Sequence, residues 1–234
     1  MRKKAVMNRS GGKDSALALY KVMQGEEYEV VSLLTTVNRE TLRSSMHGIP
    51  IGLLQAQARS IGIPIQEAYL DPSGEMSGYN EAMREAVEYF QSIGVTHFIF
   101  GDIFLHDVRS YREAHLNPYG IEVVEPLWDK TSAEVMEEFL QSGLQTVVVS
   151  TMADKLDETF IGQPIDRSFV ERIPEGVDMC GENGEYHTFC FDGPLFRSPV
   201  RFSMDETPMR VSHDVTLDTG EVRAYHYWYG KLKR

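Results

Sequence analysis

Apolar and polar positions alternate with two different periods along the first 150 residues of the chain. Short runs of β-branched and apolar residues predict buried strands, and apolar residues three or four positions apart predict helices that end at glycine. Strands and helices take turns, which is typical of a parallel sheet covered by helices on both faces. The predicted strands begin with a short one at Val6 and continue at Tyr28–Leu34, Ile63–Leu70, Val95–Phe100, Ile121–Val124 and Leu144–Ser150; the predicted helices are Ser15–Gln24, Ile51–Ile61, Tyr79–Ile93, Val108–Leu116 and Thr131–Gln141.

The pattern changes beyond about residue 160. Short β-like runs follow one another there, and glycine and proline separate them. This change predicts an α/β domain over residues 1–160 and a smaller mixed α+β part over residues 161–234. The β-like runs are His187–Phe191, Val200–Met204, Met209–Leu217 and Val222–Tyr229.

The first predicted strand runs directly into a segment that has the chemistry of a phosphate-binding loop. A helix N-terminus offers free backbone N–H groups and the positive end of the helix dipole to an anion. In this segment two glycines let the backbone approach the anion, a lysine adds positive charge and two serine hydroxyls can donate hydrogen bonds. An aspartate follows the lysine, which distinguishes the segment from a Walker A loop. Its residues are Ser10, Gly11, Gly12, Lys13, Asp14 and Ser15.

Further candidate residues lie where predicted strands end. Ligands of an open α/β sheet bind beyond the carboxyl ends of its strands, so these residues are expected to collect near the loop. Asp102 stands where a carboxylate could hold Mg²⁺ or orient a nucleophile, although capping the next helix is an equally good interpretation. Trp128 is better explained by packing than by ligand stacking. The other candidates at these positions are Thr35, Gly101 and His47.

A second dense group of polar residues lies within residues 178–194. Glu182 and Glu185 stand three positions apart on a loop rich in glycine. Two such carboxylates repel each other if they are buried, but they can bind a cation or act as general bases. A solvent-exposed acidic turn is the alternative interpretation. Cys180 and Cys190 lack the spacing of a zinc site and are interpreted as ordinary buried thiols.

The composition limits the classes of partner and compartment. The chain has 234 residues with a net charge of −12, which argues against a large nucleic-acid interface. No apolar run approaches the roughly 20 residues of a membrane span. Only two cysteines are present, which favours a reducing compartment, and we expect the cytoplasm. A homodimer is compatible with this composition.

The two motifs together resemble the diphthine–ammonia ligase family, a group within the PP-loop ATP pyrophosphatases. The phosphate loop is common to that superfamily, whereas the pattern Gly-Glu-x-Gly-Glu-x-x-Thr at residues 181–188 resembles this family specifically. The resemblance implies a Rossmann-like (HUP-type) parallel sheet, with residues 1–160 binding ATP and residues 161–234 forming a substrate-binding part. Further marks are Met46-His47, Gly101-Asp102-Ile103, Arg109, Glu113 and Pro126-Leu127-Trp128.

The resemblance also implies an activity, in which ATP adenylates a diphthine-like carboxylate, pyrophosphate leaves, and ammonia displaces AMP to give an amide. The expected partners are ATP with Mg²⁺, ammonia from solution or from another protein, and the carboxylate substrate. The expected catalytic residues are Lys13, Asp14, Asp102, Glu182 and Glu185, with Asp14 and Asp102 as candidates to place Mg²⁺. The expected ATP-binding residues are Ser10 to Ser15, Thr35, His47 and Gly101, and the expected substrate-binding residues are Arg109, Glu113, Glu182, Asn183, Glu185, His187 and Thr188.

Two other functions fit the phosphate loop. A PP-loop enzyme that thiolates tRNA would need a sulfur-carrying cysteine near the nucleotide and a basic face for RNA, and the negative charge disfavours that face. A module that binds ATP or AMP without turnover would give no role to the acidic loop, the glycine-rich loop that carries Glu182 and Glu185. Amide formation uses both motifs.

Overall fold

The structure, a computed structural model, describes residues 2–45, 47–71, 76–216 and 222–234. Met46 and Leu217, which the sequence analysis named, lie outside these residues. The strands are β1 (Lys3–Asn8), β2 (Tyr28–Asn38), β3 (Arg43–Ser44), β4 (Ile65–Leu70), β5 (His97–Ile99), β6 (Glu122–Val124), β7 (Gln145–Met152), β8 (Tyr186–Asp192), β9 (Ser203–Met204), β10 (Met209–Thr216), β11 (Val222–Tyr229) and β12 (Leu232–Lys233). The α-helices are α1 (Lys13–Gln24), α2 (Ile51–Ile61), α3 (Met76–Ser92), α4 (His106–Leu116), α5 (Ser132–Ser142) and α6 (Arg167–Arg172).

The predicted parallel sheet is confirmed. Its five parallel strands stand in the order β4-β2-β1-β5-β6, and the short β3 pairs antiparallel with the end of β2. Strand β1 therefore lies at the centre of the sheet. Strands β2 and β4 lie on one side of it, and β5 and β6 lie on the other side, so the order in which the strands are added reverses at β1. This reversal opens a crevice at the carboxyl ends of β1 and β5, which is where ligands bind in sheets of this kind.

The two faces of the parallel sheet bury different side chains because successive residues of a strand point to opposite sides. Ala5 and Met7 of β1 pack into a cluster with residues of α1 and α5. Val6, between them, packs into a second cluster with residues of α3. Helices thus cover both faces, as the alternation of strands and helices predicted.

A second sheet has the antiparallel order β10-β11-β7-β8. Strand β7 corresponds to the run Leu144–Ser150. Of the five or six parallel strands that the pattern predicts, five form the parallel sheet, and this run does not join them. The alternating pattern predicts that a strand exists but not its partners, and β7 forms its hydrogen bonds with β8 and β11 from the end of the chain. The second sheet consequently takes one strand from the first 160 residues. None of the described helices combines the length and the apolar character that crossing a membrane demands.

Strand β2 is longer than predicted and includes Thr35. The apolar run ends at Leu34, but the strand continues because β4 pairs alongside it, with Thr35 opposite Glu67. Thr35 is therefore buried within the strand and does not lie after it. Its neighbour Leu34 accepts a hydrogen bond from the Arg9 N–H at 2.7 Å, which places Thr35 beside the start of the phosphate loop.

Strand β8 of the second sheet docks on the phosphate loop of the first. The Cys190 N–H donates to the Gly11 carbonyl at 2.9 Å. The fully buried Gln57 of α2 donates from Nε2 to that same carbonyl at 3.0 Å and also to the carbonyl of Cys190. These bonds join the loop, α2 and β8 into one unit.

Gly101, directly after β5 and Phe100, lies against the first turn of α1. A Cβ atom at this position would lie 2.9 Å from the carbonyl carbon of Asp14 and 2.9 Å from the backbone nitrogen of Ser15. Real Cβ atoms do not approach backbone so closely, so glycine is required here for β5 and α1 to pack. The phosphate loop and the end of β5 are held together by this contact.

We expect Gly101→Ala to lower the free energy of unfolding by about 1–3 kcal/mol, because the new methyl group must push α1 away from β5. Urea denaturation measures this change. Gly78→Ala is the matched control, since Gly78 lies in α3 with no atom within 4 Å of the added methyl group. The control should leave stability unchanged or raise it by up to about 1 kcal/mol. Equal stability of the two variants would contradict the close packing at Gly101.

Candidate functional site

The phosphate loop is a turn that depends on glycine and is closed by hydrogen bonds within it. Gly11 has a φ of 91°, a conformation that favours glycine. The Gly12 N–H donates to the Ser10 hydroxyl at 3.2 Å, and that hydroxyl lies 3.2 Å from the hydroxyl of Ser15. A Cβ atom at Gly12 would lie 2.9 Å from His47 Nε2, so the loop sits tightly against the segment after β3. This proximity of His47 to Gly12 agrees with the prediction that His47 lies near the loop.

Lys13 is buried, with 2% of its surface exposed, and is enclosed by groups that stabilise its positive charge. Its Nζ donates to Asp14 Oδ1 at 2.6 Å and lies 5.6 Å from the centre of the Tyr186 ring. Its backbone N–H donates to the Thr188 hydroxyl at 2.9 Å. Burial lowers the pKa of Lys13, but the Asp14 carboxylate together with Tyr186 and Cys180 more than offsets this effect, and the pKa is raised above its usual value. Lys13 is therefore a permanent cation at the helix N-terminus.

The acidic loop is shaped by carboxylates that accept hydrogen bonds from its own backbone. Glu185, 4% exposed, accepts from the N–H groups of Asp178 and Asn183 and from the Asn183 side-chain amide, each at 3.1 Å. Asp178 in turn accepts from the N–H groups of Cys180 at 3.1 Å and Glu182 at 2.9 Å. Both oxygens of Glu185 are thus occupied within the loop, and Asn183 is exposed on its outer side.

Glu182 faces the opposite way, towards the phosphate loop and the end of β5. Its Oε1 accepts from the Ile103 N–H at 2.8 Å. Burial raises the pKa of Glu182 to about 7, and the negative charges of Asp14 and Asp102 add to the effect. A carboxyl with this pKa gains and loses a proton easily at neutral pH, which is the property of a general base.

His47 and His187 form a pair beside Lys13. Their ring centres are 4.4 Å apart, and Nδ1 of His47 is buried without a hydrogen-bond partner in the described part of the chain. Burial lowers the pKa of His187 to about 4 and lowers the pKa of His47 well below its usual value, and the Lys13 charge contributes to both shifts. Both rings are neutral at pH 7 and can donate or accept hydrogen bonds without adding charge.

Asp102 lies in a network of ion pairs at the end of β5. Its carboxylate pairs with Arg112 at 3.0 Å. Nearby, Arg109 pairs with Glu113 at 2.9 Å and with Glu125 at 3.4 Å. The Arg109 guanidinium also lies 4.6 Å from the centre of the Trp128 ring. Trp128 therefore packs against a cation.

Two members of this network, Arg112 and Glu125, were not predicted as site residues. The side chain of Glu125 is 1% exposed, and burial together with Asp102 raises its pKa to about 7. The sequence could have indicated Glu125, because it directly follows β6 and precedes Pro126-Leu127-Trp128, and ligands bind beyond the carboxyl ends of parallel strands. No sequence motif indicates Arg112, because it lies within helix α4 and its pairing with Asp102 is visible only in the folded chain.

The structure thus brings most of the predicted site residues to one end of the parallel sheet. In the described part of the chain no group of three or more His, Cys, Asp or Glu side chains is arranged to hold a metal ion. Cys180 and Cys190 are buried free thiols, and burial raises their pKa values to about 12 and about 11. The residues that lie in or near the loop are Ser10 to Ser15, His47, Gly101, Asp102, Glu182, His187 and Thr188.

Two family models match the chain, the diphthamide synthase N-terminal domain over residues 2–122 and the diphthamide synthase C-terminal domain over residues 131–217. The chain belongs to the diphthine–ammonia ligase family. The first model covers the phosphate loop and the end of β5, and the second covers the acidic loop. Both halves of the site therefore lie within the family's own domains.

Members of this family with similar sequences include vertebrate proteins. A mouse diphthine–ammonia ligase is 23% identical over 230 residues, which cover 86% of this chain and 83% of the mouse protein. A bovine one is 32% identical over 79 residues, or 32% of this chain and 30% of the bovine protein. A zebrafish (Danio rerio) one is 30% identical over 102 residues, or 42% of this chain and 40% of the zebrafish protein. The matched segments thus span less than half of the bovine and zebrafish proteins.

The partly buried His187 predicts a dependence of stability on pH. Its pKa is about 4 in the folded protein and near 6.5 in the unfolded chain, so the unfolded state takes up a proton first as the pH falls. The contribution of His187 is fully present above pH 6.5 and is lost towards pH 4. Between these values we expect the free energy of unfolding to fall by up to about 3 kcal/mol more in the unmodified protein than in His187→Gln.

Urea denaturation at several pH values measures this difference. The exposed His226 provides the control, and His226→Gln should follow the unmodified protein. If His187→Gln and the unmodified protein lost the same free energy of unfolding as the pH falls, the assignment of a neutral His187 with a lowered pKa would be contradicted.

Proposed function

We propose that this protein is an ATP-dependent, AMP-forming amide ligase that adenylates a carboxylate and then transfers ammonia to it. The observation that carries this proposal is the placement of Glu182, a carboxyl with a pKa of about 7, beside the loop that holds the buried Lys13. A phosphate site beside a base suits a reaction in which phosphate chemistry is followed by attack of an amine. Membership of the family, whose named relatives are diphthine–ammonia ligases, supports this assignment.

The phosphate loop would hold the β- and γ-phosphates of ATP. The positive end of the α1 dipole and the ammonium of Lys13 would stabilise the charge that grows on pyrophosphate as it leaves. Mg²⁺ commonly takes one or two protein carboxylates together with phosphate oxygens. Asp14 and Asp102, which pair with Lys13 and Arg112 in this structure, are the carboxylates that would hold it. When bound, Mg²⁺ neutralises charge between the phosphates.

In the first step, an oxygen of the substrate carboxylate attacks the α-phosphorus of ATP. A bond forms between that oxygen and phosphorus, the bond to the β-phosphate oxygen breaks, and pyrophosphate leaves. The acyl-adenylate keeps the carbonyl carbon open to a nucleophile. Lys13, Arg109 and Arg112 lie around this end of the sheet, where each pairs with a carboxylate.

In the second step, ammonia attacks the acyl carbon and AMP leaves with the electron pair of the broken C–O bond. One proton must leave the nitrogen, and the ionised form of Glu182 accepts it. Glu185 was predicted to share this role. Because its oxygens are occupied by loop N–H groups, we assign it the positioning of Glu182.

Lys13→Met should lower the ATP-dependent release of pyrophosphate by about 10²–10³-fold, because it removes the charge that stabilises the leaving group. AMP, pyrophosphate and ADP are measured with ATP, Mg²⁺, ammonium and a cell extract that supplies carboxylates. Lys21→Met is the control, since Lys21 lies near the far end of α1 and pairs with Glu138. Unchanged pyrophosphate release in Lys13→Met, or formation of ADP by the unmodified protein, would contradict the proposal.

Glu182→Gln should separate the two steps. We expect pyrophosphate release to remain within a few-fold, whereas ammonium-dependent amide formation falls by about 10²–10⁴-fold. At a constant concentration of free ammonia, the rate of the second step in the unmodified protein should rise with pH through about 7 as Glu182 ionises, and this rise should disappear in the variant. Quenched-flow measurement of the acyl-adenylate and of the amide follows each step.

Glu185→Gln is the matched comparison for Glu182→Gln. It should mainly lower the free energy of unfolding, by about 1–3 kcal/mol, because the loop N–H groups lose a charged acceptor. It should keep the pH dependence of the second step. A loss of that pH dependence in Glu185→Gln, with its retention in Glu182→Gln, would reverse the two assignments.

A further inference from the structure

The charge of Arg9, the residue between β1 and the phosphate loop, has no part in the chemistry described above. Arg9 is buried, with 3% of its surface exposed, and its three side-chain nitrogens have no hydrogen-bond partner among the described residues. Burial lowers the pKa of Arg9, and the neighbouring Cys190 thiol is the described group that raises it. No carboxylate in the described part of the chain forms an ion pair with it. Because a guanidinium keeps its proton in proteins, Arg9 is a buried and unpaired cation.

Arg9 lies at the contact between the phosphate loop and β8. Its guanidinium is close to the thiol of Cys190, and the N–H of the same Cys190 donates to the Gly11 carbonyl at 2.9 Å. The thiol does not neutralise the guanidinium, because burial raises the pKa of Cys190 to about 11 and leaves the thiol uncharged at pH 7. A positive charge is thus held close to the loop, where solvent screens it less than it screens an exposed charge.

The other cations of the site are already paired. Lys13, Arg109 and Arg112 each form an ion pair with at least one carboxylate. Two opposite charges held together largely cancel at a distance, so these pairs attract an anion less than an unpaired cation does. Burying the unpaired Arg9 costs free energy of folding, and an anion bound at the loop would offset part of that cost.

We propose that Arg9 supplies the unpaired positive charge for the pyrophosphate portion of ATP, and that it acts through the backbone of the phosphate loop without touching the ligand. Its burial excludes direct contact, so Arg9 is a positioning residue for the phosphates. The identity of the ligand rests on the proposed ligase function. The experiments below use inorganic pyrophosphate first, so that the two can fail separately.

Titration calorimetry with pyrophosphate and Mg²⁺ tests the charge directly. Arg9→Met removes the charge and should weaken binding at least about tenfold, because a weakly screened charge is lost. Arg9→Lys keeps the charge and should bind within about threefold of the unmodified protein. Arg59→Met is the control, since it removes the same charge from an exposed position on α2 and should leave the affinity unchanged. Equal affinities of Arg9→Met and the unmodified protein, or equal losses in Arg9→Met and Arg9→Lys, would overturn the proposal.

Stability without ligand separates this role from a packing role. Urea denaturation should find Arg9→Met at least as stable as the unmodified protein, because an unpaired buried charge has been removed. Added pyrophosphate should then stabilise the unmodified protein more than the variant, since the tighter complex shifts unfolding further. Arg9→Gln repeats the comparison with a polar side chain. Lower stability of both neutral variants without ligand, or weak binding in only one of them, would overturn the role of the charge.

Turnover relates this role to the proposed function. With ATP, Mg²⁺, ammonium and a cell extract, Arg9→Met should raise the KM for ATP at least about tenfold and keep kcat within about threefold, because ground state and transition state both carry the phosphates. Pyrophosphate binding that depends on Arg9, without AMP formation from any extract, contradicts the ligase function and supports the role of Arg9. No binding of pyrophosphate by the unmodified protein contradicts both. Turnover with an unchanged KM in Arg9→Met contradicts the role of Arg9 alone.

Discussion

The hydrogen bonds between strand β8 and the phosphate loop are the contact on which the rest of the site depends. The Cys190 N–H bonds to the Gly11 carbonyl, and the Thr188 hydroxyl accepts from the Lys13 N–H. Because β8 continues from the acidic loop, these bonds fix the distance between the phosphate loop and Glu182. Gln57 reinforces the same contact from α2. Two sheets of different architecture thereby share one site.

Local patterns predicted most of the first sheet but not the way in which the second sheet joins it. The glycines and lysine of the phosphate loop, and the amphipathic helices that end at glycine, are signals within a few consecutive residues, so the sequence displays them directly. The partners of β7 depend on strands more than 30 residues later in the chain. The same applies to Thr35, whose strand continues only because β4 lies alongside it.

Within the site, the sequence identified the residue types but could not distinguish their environments. Glu182 and Glu185 look equivalent on the chain, yet the fold directs Glu185 into its own loop and Glu182 towards Asp14 and Asp102. Burial and the neighbouring charge then separate their chemistry. Glu125 acquires its raised pKa in the same way, from Asp102 and from a loss of solvent that no short motif encodes.

The two carboxyl groups with pKa values of about 7, Glu182 and Glu125, can both take up and release a proton near neutral pH. At neutral pH each is protonated for part of the time, because its ionised form lacks solvent. A cation that binds beside either group favours the ionised form and displaces the proton. For ammonium, such binding would exchange one positive charge for another, so the net charge at this end of the sheet would stay the same as the site fills and the affinity would increase as the pH rises through about 7.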